Sequence, residues 1–211
     1  MNQVQSLVHP IFSSPVAQHP FGRDLTSWEK KSFEKILRKI QPNQGNMRSE
    51  SDNVLEHKGL EDLKMFFEES VNKFVTDIYK PKNKVEFYIT QSWLNVNEID
   101  MFHHKHYHPN SYLSGVFYLS CTDHDRIQFH NMVHSSILLD LFESKEGDAN
   151  VFNSGLFSFP INTLDLLLFP SYLEHSVPVN ITNQKRISLS FNTFVRGEIG
   201  SKSSLSQVVL H

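Results

Sequence analysis

The chain has 211 residues, enough for one large domain or two small ones and for a substantial buried core. Its net charge of −3 is spread with both signs mixed, so no basic block marks a nucleic-acid surface, and its single cysteine, Cys121, excludes an internal disulfide. The opening, Met1 to Leu7, lacks the basic patch and apolar run of a signal peptide, and the longest apolar stretch, Leu166 to Pro170, is too short to span a bilayer, so a soluble cytoplasmic protein is expected.

In chain order, residues 7–18 read as a short extended entry whose prolines suit a sheet edge. Thr26-Ser27-Trp28-Glu29 is a capping-box pattern, with a hydroxyl first and a carboxylate three residues later. Phe33, Ile36, Leu37 and Ile40 follow at helical spacing, which predicts a helix over 27–40 ended by Pro42. The polar stretch Asn43 to Asn53 reads as a loop. A second helix is expected from about Leu60 to Tyr79, with Leu60, Leu63, Phe67, Val71, Phe74 and Ile78 as one apolar stripe and Pro81 as its stop.

From Val85 the period changes to two. Val85, Phe87 and Ile89 alternate with Glu86, Tyr88 and Thr90, and further strand patterns run over 113–119, 126–129, 163–169 and 186–194. The span 132–160 is ambiguous, since Ser136 to Phe142 suits either a strand or a helical turn. Seventeen phenylalanines against two tryptophans also favour a β-rich core. Short strands separated by long loops suggest an antiparallel sandwich or jelly roll, and the reading taken is a mainly β (α+β) jelly roll with N-terminal helices covering it. The expected division is a single domain over 1–211: strand and helices in 1–81, a jelly-roll core in 82–197, and a tail in 198–211.

The chemistry sits in a histidine-rich run, Phe102-His103-His104-Lys105-His106-Tyr107-His108-Pro109, and two later residues, His175 and Arg186. Imidazoles at i and i+2 of an extended chain point to one side. His106 and His108 have that spacing, as do His104 and His106, and His175 supplies a third imidazole from the strand after Pro170. Three ligands on one face with open positions suit a mononuclear non-heme Fe(II) site. Arg186, Ser188, Ser190 and Asn192 share one strand face, polar but uncharged apart from the arginine, which suits a barrel lumen with a polar occupant. A guanidinium is a planar fork matched to a carboxylate, and Ser188 adds a hydroxyl donor. The whole suggests an iron oxygenase using 2-oxoglutarate. Two rivals stand beside it: a cupin-type metalloenzyme not using 2-oxoglutarate, and a non-catalytic jelly-roll interaction protein.

The segment His106-Tyr107-His108-Pro109-Asn110-Ser111-Tyr112-Leu113-Ser114-Gly115-Val116-Phe117-Tyr118-Leu119 resembles the core of a family of 2-oxoglutarate/Fe(II) oxygenases with bacterial and phage members. Trp93-Leu94-Asn95, Leu168 to Val177 and Arg186 to Asn192 match further blocks of that family, as does the opening Pro10-Ile11-Phe12 with Pro15. More distantly, the order of features is similar to that of prolyl hydroxylases. The resemblance implies a double-stranded β-helix (cupin-like) that binds Fe(II), 2-oxoglutarate and dioxygen and hydroxylates a small molecule or a protein side chain. It implies metal ligation by His106, His108 and His175, and cosubstrate contacts from Arg186, Ser188, Asn192 and Tyr118. Tyr118 stands where prolyl hydroxylases often have a tyrosine on the far carboxylate. One departure is visible: the wider superfamily has His-x-Asp or His-x-Glu where this chain has His106-Tyr107-His108. The site is then either three-histidine, with the iron one negative charge short, or its carboxylate comes from Asp123 or Asp125. Neither substrate identity nor oligomeric state is encoded in these patterns.

Overall fold

A computed structural model describes residues 7–131 and 150–211. The described residues form twelve strands and two α-helices: β1 (Ala17–Pro20), α1 (Ser27–Leu37), β2 (Ile40–Pro42), β3 (Met47–Ser49), α2 (Glu61–Phe74), β4 (Val85–Asn97), β5 (His103–His106), β6 (Leu113–Ser120), β7 (Arg126–His130), β8 (Leu156–Pro160), β9 (Asp165–Pro170), β10 (His175–Val177), β11 (Arg186–Ile199) and β12 (Val208–Leu210). The larger sheet runs β1-β9-β6-β11-β4-β3-β2 with β12 beside β11; the smaller runs β5-β10-β7-β8. Two such sheets facing each other give the expected jelly roll with covering helices. Of the expected entry segment 7–18 only Ala17 and Gln18 are strand: they begin β1, an edge strand paired with β9, and Pro10 and Pro15 lie ahead of it.

The helices form for local reasons. Thr26 accepts from the Glu29 backbone N–H while the Glu29 carboxylate accepts from the Thr26 N–H, so the capping box is closed. Arg23 grips the same carboxylate through both terminal nitrogens at 2.8 Å. α1 stops at Leu37, earlier than the pattern predicts, because Ile40–Pro42 pairs with Met47–Ser49 as a hairpin. The stretch Asn43 to Asn53 is therefore not a plain loop: β3 within it extends the large sheet by pairing with β4.

α2 buries Leu63, Phe67, Val71 and Phe74, with Leu60 just ahead of it. The expected helix to Tyr79 changes character at Val75, where a five-residue π turn begins and ends at Lys80 in the left-handed region. That wider turn rotates the following residues off the stripe, and Ile78 is 52% exposed. The stripe meets the outer face of the large sheet. Phe67 stacks on Phe191 at 5.0 Å between ring centres and tilts against Phe117 at 5.3 Å. Gly115 makes this possible, since a Cβ there would lie 2.2 Å from the Phe191 ring.

β4 carries a bulge opposite the Asn192–Thr193 step of β11, where Gln91 pairs with Asn192 and Ile89 with Thr193. The extra residue, Thr90, lets odd-numbered residues serve both faces. Phe87 and Ile89 pack with the helix-side core, whereas Trp93, Asn95 and Asn97 turn into the space between the sheets. A second, smaller core of Val116, Tyr118, Ile127, Phe129, Ile161, Leu167 and Phe169 closes the inter-sheet space beside them. The ambiguous Ser136 to Phe142 lies outside the described residues.

Candidate metal and cosubstrate site

His106 ends β5 and His175 begins β10, directly opposite each other in the register. Their ring centres are 4.3 Å apart. His108 lies two residues past β5 rather than within it; its backbone N–H donates to the Ser171 carbonyl at 2.9 Å, which turns the chain end back toward His175. Its ring centre is 5.0 Å from His106 and 5.1 Å from His175. The three imidazoles offer ligand nitrogens that all lie within 4.8 Å of one another. A second group with the same property, His103, His104 and His106, shares His106 with the first.

The hydrogen bonds of the two paired histidines set their chemistry. His106 Nδ1 lies 2.7 Å from the His104 carbonyl oxygen and His175 Nδ1 lies 3.0 Å from the Leu173 carbonyl oxygen. A carbonyl only accepts, so Nδ1 carries the proton and Nε2 keeps its lone pair, the arrangement a metal ligand requires. Desolvation lowers all three imidazole pKa values, with neighbouring histidines adding to it: His108 falls to about 4 and His175 well below its ordinary value, while the carbonyl contact partly offsets the fall at His106. The rings are held neutral.

Arg186, the first residue of β11, stands across the lumen wall and is 3% exposed. Its Nη1 donates to Asp125 Oδ1 at 2.6 Å and its Nη2 to the Pro178 carbonyl at 2.9 Å. Asp125 Oδ2 accepts from the backbone N–H and hydroxyl of Thr122. Asp125 is thus tied to the arginine, and neither it nor Asp123 belongs to a described group able to hold a metal. The acidic alternative for the third ligand is not what the geometry provides.

Ser188, Ser190, Asn95, Asn97 and Tyr118 line the same lumen as Arg186 and the histidines. Asn192, expected to contact the cosubstrate, does not line it. Its Oδ1 accepts from the Ser114 hydroxyl, which in turn meets Ser171, so it ties β11 to the turn after β9. Three buried polar atoms on the lumen wall have no partner among the described residues: Tyr118 Oη, Asn95 Oδ1 and Asn97 Nδ2. Burial raises the Tyr118 pKa, against the pull of Arg186, so this hydroxyl is a donor. An unpaired hydroxyl and an unpaired amide N–H near a guanidinium fit a carboxylate occupant. The free volume, about 20 Å³, suits little more than one water, so a larger occupant requires lining side chains to move apart. His108 also borders a second cavity of about 580 Å³, an apolar groove walled by Tyr79, Phe87, Tyr107, Tyr112 and Tyr172. The sequence reading missed Asp125's role, the two asparagines' free atoms and this groove.

Residues 91–192 match the model of a family described as "Putative 2OG-Fe(II) oxygenase". No curated protein sequence matches the chain. Among solved structures, a prolyl-4-hydroxylase of Pseudomonas putida is similar at 11% identity and TM-score 0.56, covering 85% of this chain and 93% of its own. HygX of Streptomyces hygroscopicus, solved with nickel, 2-oxoglutarate and hygromycin B, is similar at 14% identity and TM-score 0.55, covering 85% and 82%. A 2OG-Fe(II) oxygenase family oxidoreductase of Burkholderia pseudomallei gives 14% and 0.52, covering 79% and 78%. At these identities the likeness shows the fold alone, and that fold is the jelly roll described above.

Proposed function

We propose that this enzyme, which uses Fe(II) and 2-oxoglutarate and whose residues 91–192 match the 2OG-Fe(II) oxygenase family, hydroxylates its substrate at a three-histidine centre within a single domain spanning 1–211. His106, His108 and His175 hold the metal through neutral imidazole nitrogens. Arg186 anchors the distal carboxylate of the cosubstrate, with Tyr118 Oη donating to it and Ser188 beside it. When bound, iron and 2-oxoglutarate would let dioxygen act as the oxidant, one oxygen atom entering succinate as 2-oxoglutarate loses carbon dioxide and the other entering the hydroxylated substrate. The protein's own contribution is orientation: His104 and Leu173 carbonyls fix two tautomers, and the Ser171 carbonyl fixes the backbone of His108. A small molecule or a protein side chain would reach the centre along the tyrosine-walled groove, which meets the lumen at His108. No helix among the described residues is long and apolar enough to cross a membrane.

The observation that carries this reading is one lumen with three metal-competent imidazoles and, on its wall, a buried arginine with an unpaired tyrosine hydroxyl. The test is succinate release from 2-oxoglutarate by the purified protein with Fe(II) and air. Succinate should form with iron and be lost in His175→Ala. Iron-dependent metal binding without any succinate, with or without candidate substrates, would refute it.

A further inference from the structure

Among the described residues, Arg186 is the one formally charged side chain on the lumen wall, and its charge is already met by Asp125 at 2.6 Å. Both members of the pair are buried, with side chains 3% and 6% exposed. Asp125 is held rigidly from behind by the Thr122 N–H at 2.7 Å, so it does not swing away to leave the arginine free. The metal end, by contrast, presents imidazoles and, among the described residues, no carboxylate. The common facial triad of non-heme iron oxygenases has two histidines and one carboxylate, so there a negative charge sits on the metal. This chain has a negative charge too, but paired with Arg186.

We propose that Asp125 carries, at the arginine end of the lumen, the negative charge that a carboxylate ligand would place on the metal, so that the loaded cavity is electrically neutral. The inference rests on the site reading above. A divalent metal on three neutral imidazoles and a dianionic 2-oxo acid cancel each other, provided the arginine brings no net charge of its own. Asp125 ensures that. Without it the loaded cavity would hold one excess positive charge, and with a carboxylate at position 108 in addition to Asp125 it would hold one excess negative charge. Either excess is costly in a poorly solvated interior. Asp125 is thus a positioning residue, aiming the guanidinium and setting the charge of the pocket, rather than a group that touches the reacting atoms.

The experiment is an anaerobic calorimetric titration of 2-oxoglutarate into the Fe(II)-loaded protein, for wild type, His108→Asp, Asp125→Asn and the double variant, with Fe(II) affinity measured alongside. His108→Asp installs the common triad and should keep Fe(II) at least as tightly. It should nevertheless weaken 2-oxoglutarate by roughly tenfold or more, since the new carboxylate lies at the metal end of the lumen, where one end of the dianion binds, and repels it at close range. Adding Asp125→Asn should return the affinity toward wild type, a rescue that a purely structural aspartate cannot give. A His108→Asp protein that binds 2-oxoglutarate as tightly as wild type overturns the proposal, as does a double variant weaker than His108→Asp. Should Asp125→Asn prevent folding, alone or in the double variant, Asp125→Ser takes its place with His108→Asp: 2-oxoglutarate affinity above that of His108→Asp supports the proposal, and affinity at or below it refutes it. Failure of the wild type to bind 2-oxoglutarate at all would instead refute the site reading beneath it.

Discussion

Replacing Arg186 tests the cosubstrate anchor and the packing of the site together, and the structure shows that the two must be read separately. Alanine removes two hydrogen bonds, to Asp125 and to the Pro178 carbonyl, and strands Asp125 in the interior. Breaking one side of a buried ion pair costs about 3–5 kcal/mol, a large part of the roughly 5–15 kcal/mol that holds a domain together. The loss of a charge-assisted contact to the cosubstrate adds a separate effect, about 1.5–3 kcal/mol or roughly 10- to 150-fold in affinity. Lysine keeps the charge but not the fork, so Arg186→Lys should retain most of the stability and only part of the affinity. Urea unfolding of the metal-free proteins measures the first quantity, and 2-oxoglutarate titration of the anaerobic iron complexes the second. Unchanged affinity in a folded Arg186→Ala protein would place the anchor elsewhere; unchanged stability would mean the buried pair is not formed.

Three further outcomes follow from the packing. Phe67→Ala should cost about 3–5 kcal/mol in urea unfolding yet leave Fe(II) affinity intact, because Phe67 packs against Phe117 and Phe191 on the helix side of the sheet; lost metal binding in the folded variant would contradict that division. Gly115→Ala should cost about 1–3 kcal/mol, since the new methyl group displaces the Phe191 ring, and an unchanged unfolding midpoint would show that the ring does not lie there. Burial pushes the Glu29 carboxyl up, but hydrogen bonds from Arg23 and Thr26 outweigh it and hold it below the ordinary 4.5. A carboxyl depressed in the folded state stabilises above its unfolded pKa and loses that contribution as pH falls through the folded one. Glu29→Gln should therefore cost about 1 kcal/mol at pH 7, a deficit that closes in acid; a deficit constant with pH would rule out the ion pair as its cause.

The elements governed by local rules were legible in the sequence. The capping box, the Phe67 stripe and the period-two strands each depend on neighbours a few residues away, and the structure has them where those patterns point. His106, His175 and Arg186 were legible as candidates because unusual residues at strand positions are informative. What escaped depends on long-range geometry. The Thr90 bulge had an indirect sign, since Phe87 and Trp93 share a parity yet suit opposite faces, but only the partner strand places it. The π turn that exposes Ile78 leaves no mark in the apolar spacing. Asp125 looked like a possible metal ligand because acidic residues near histidines often are. Its true partner lies 61 residues away and is found only when β11 is laid beside the turn before β7. Asn192 misled for a related reason: it shares the polar face of Arg186 but lies far enough along β11 to meet Ser114 instead.

The central claim is that His106, His108 and His175, rather than the overlapping group His103, His104 and His106, hold the iron. Anomalous diffraction at the iron edge from crystals soaked anaerobically with Fe(II) distinguishes the two directly. A single peak enclosed by His106, His108 and His175, within bonding distance of the His106 and His175 Nε2 atoms, is the predicted result. A peak among His103, His104 and His106, or a metal bound by a carboxylate at this end of the lumen, would contradict the account.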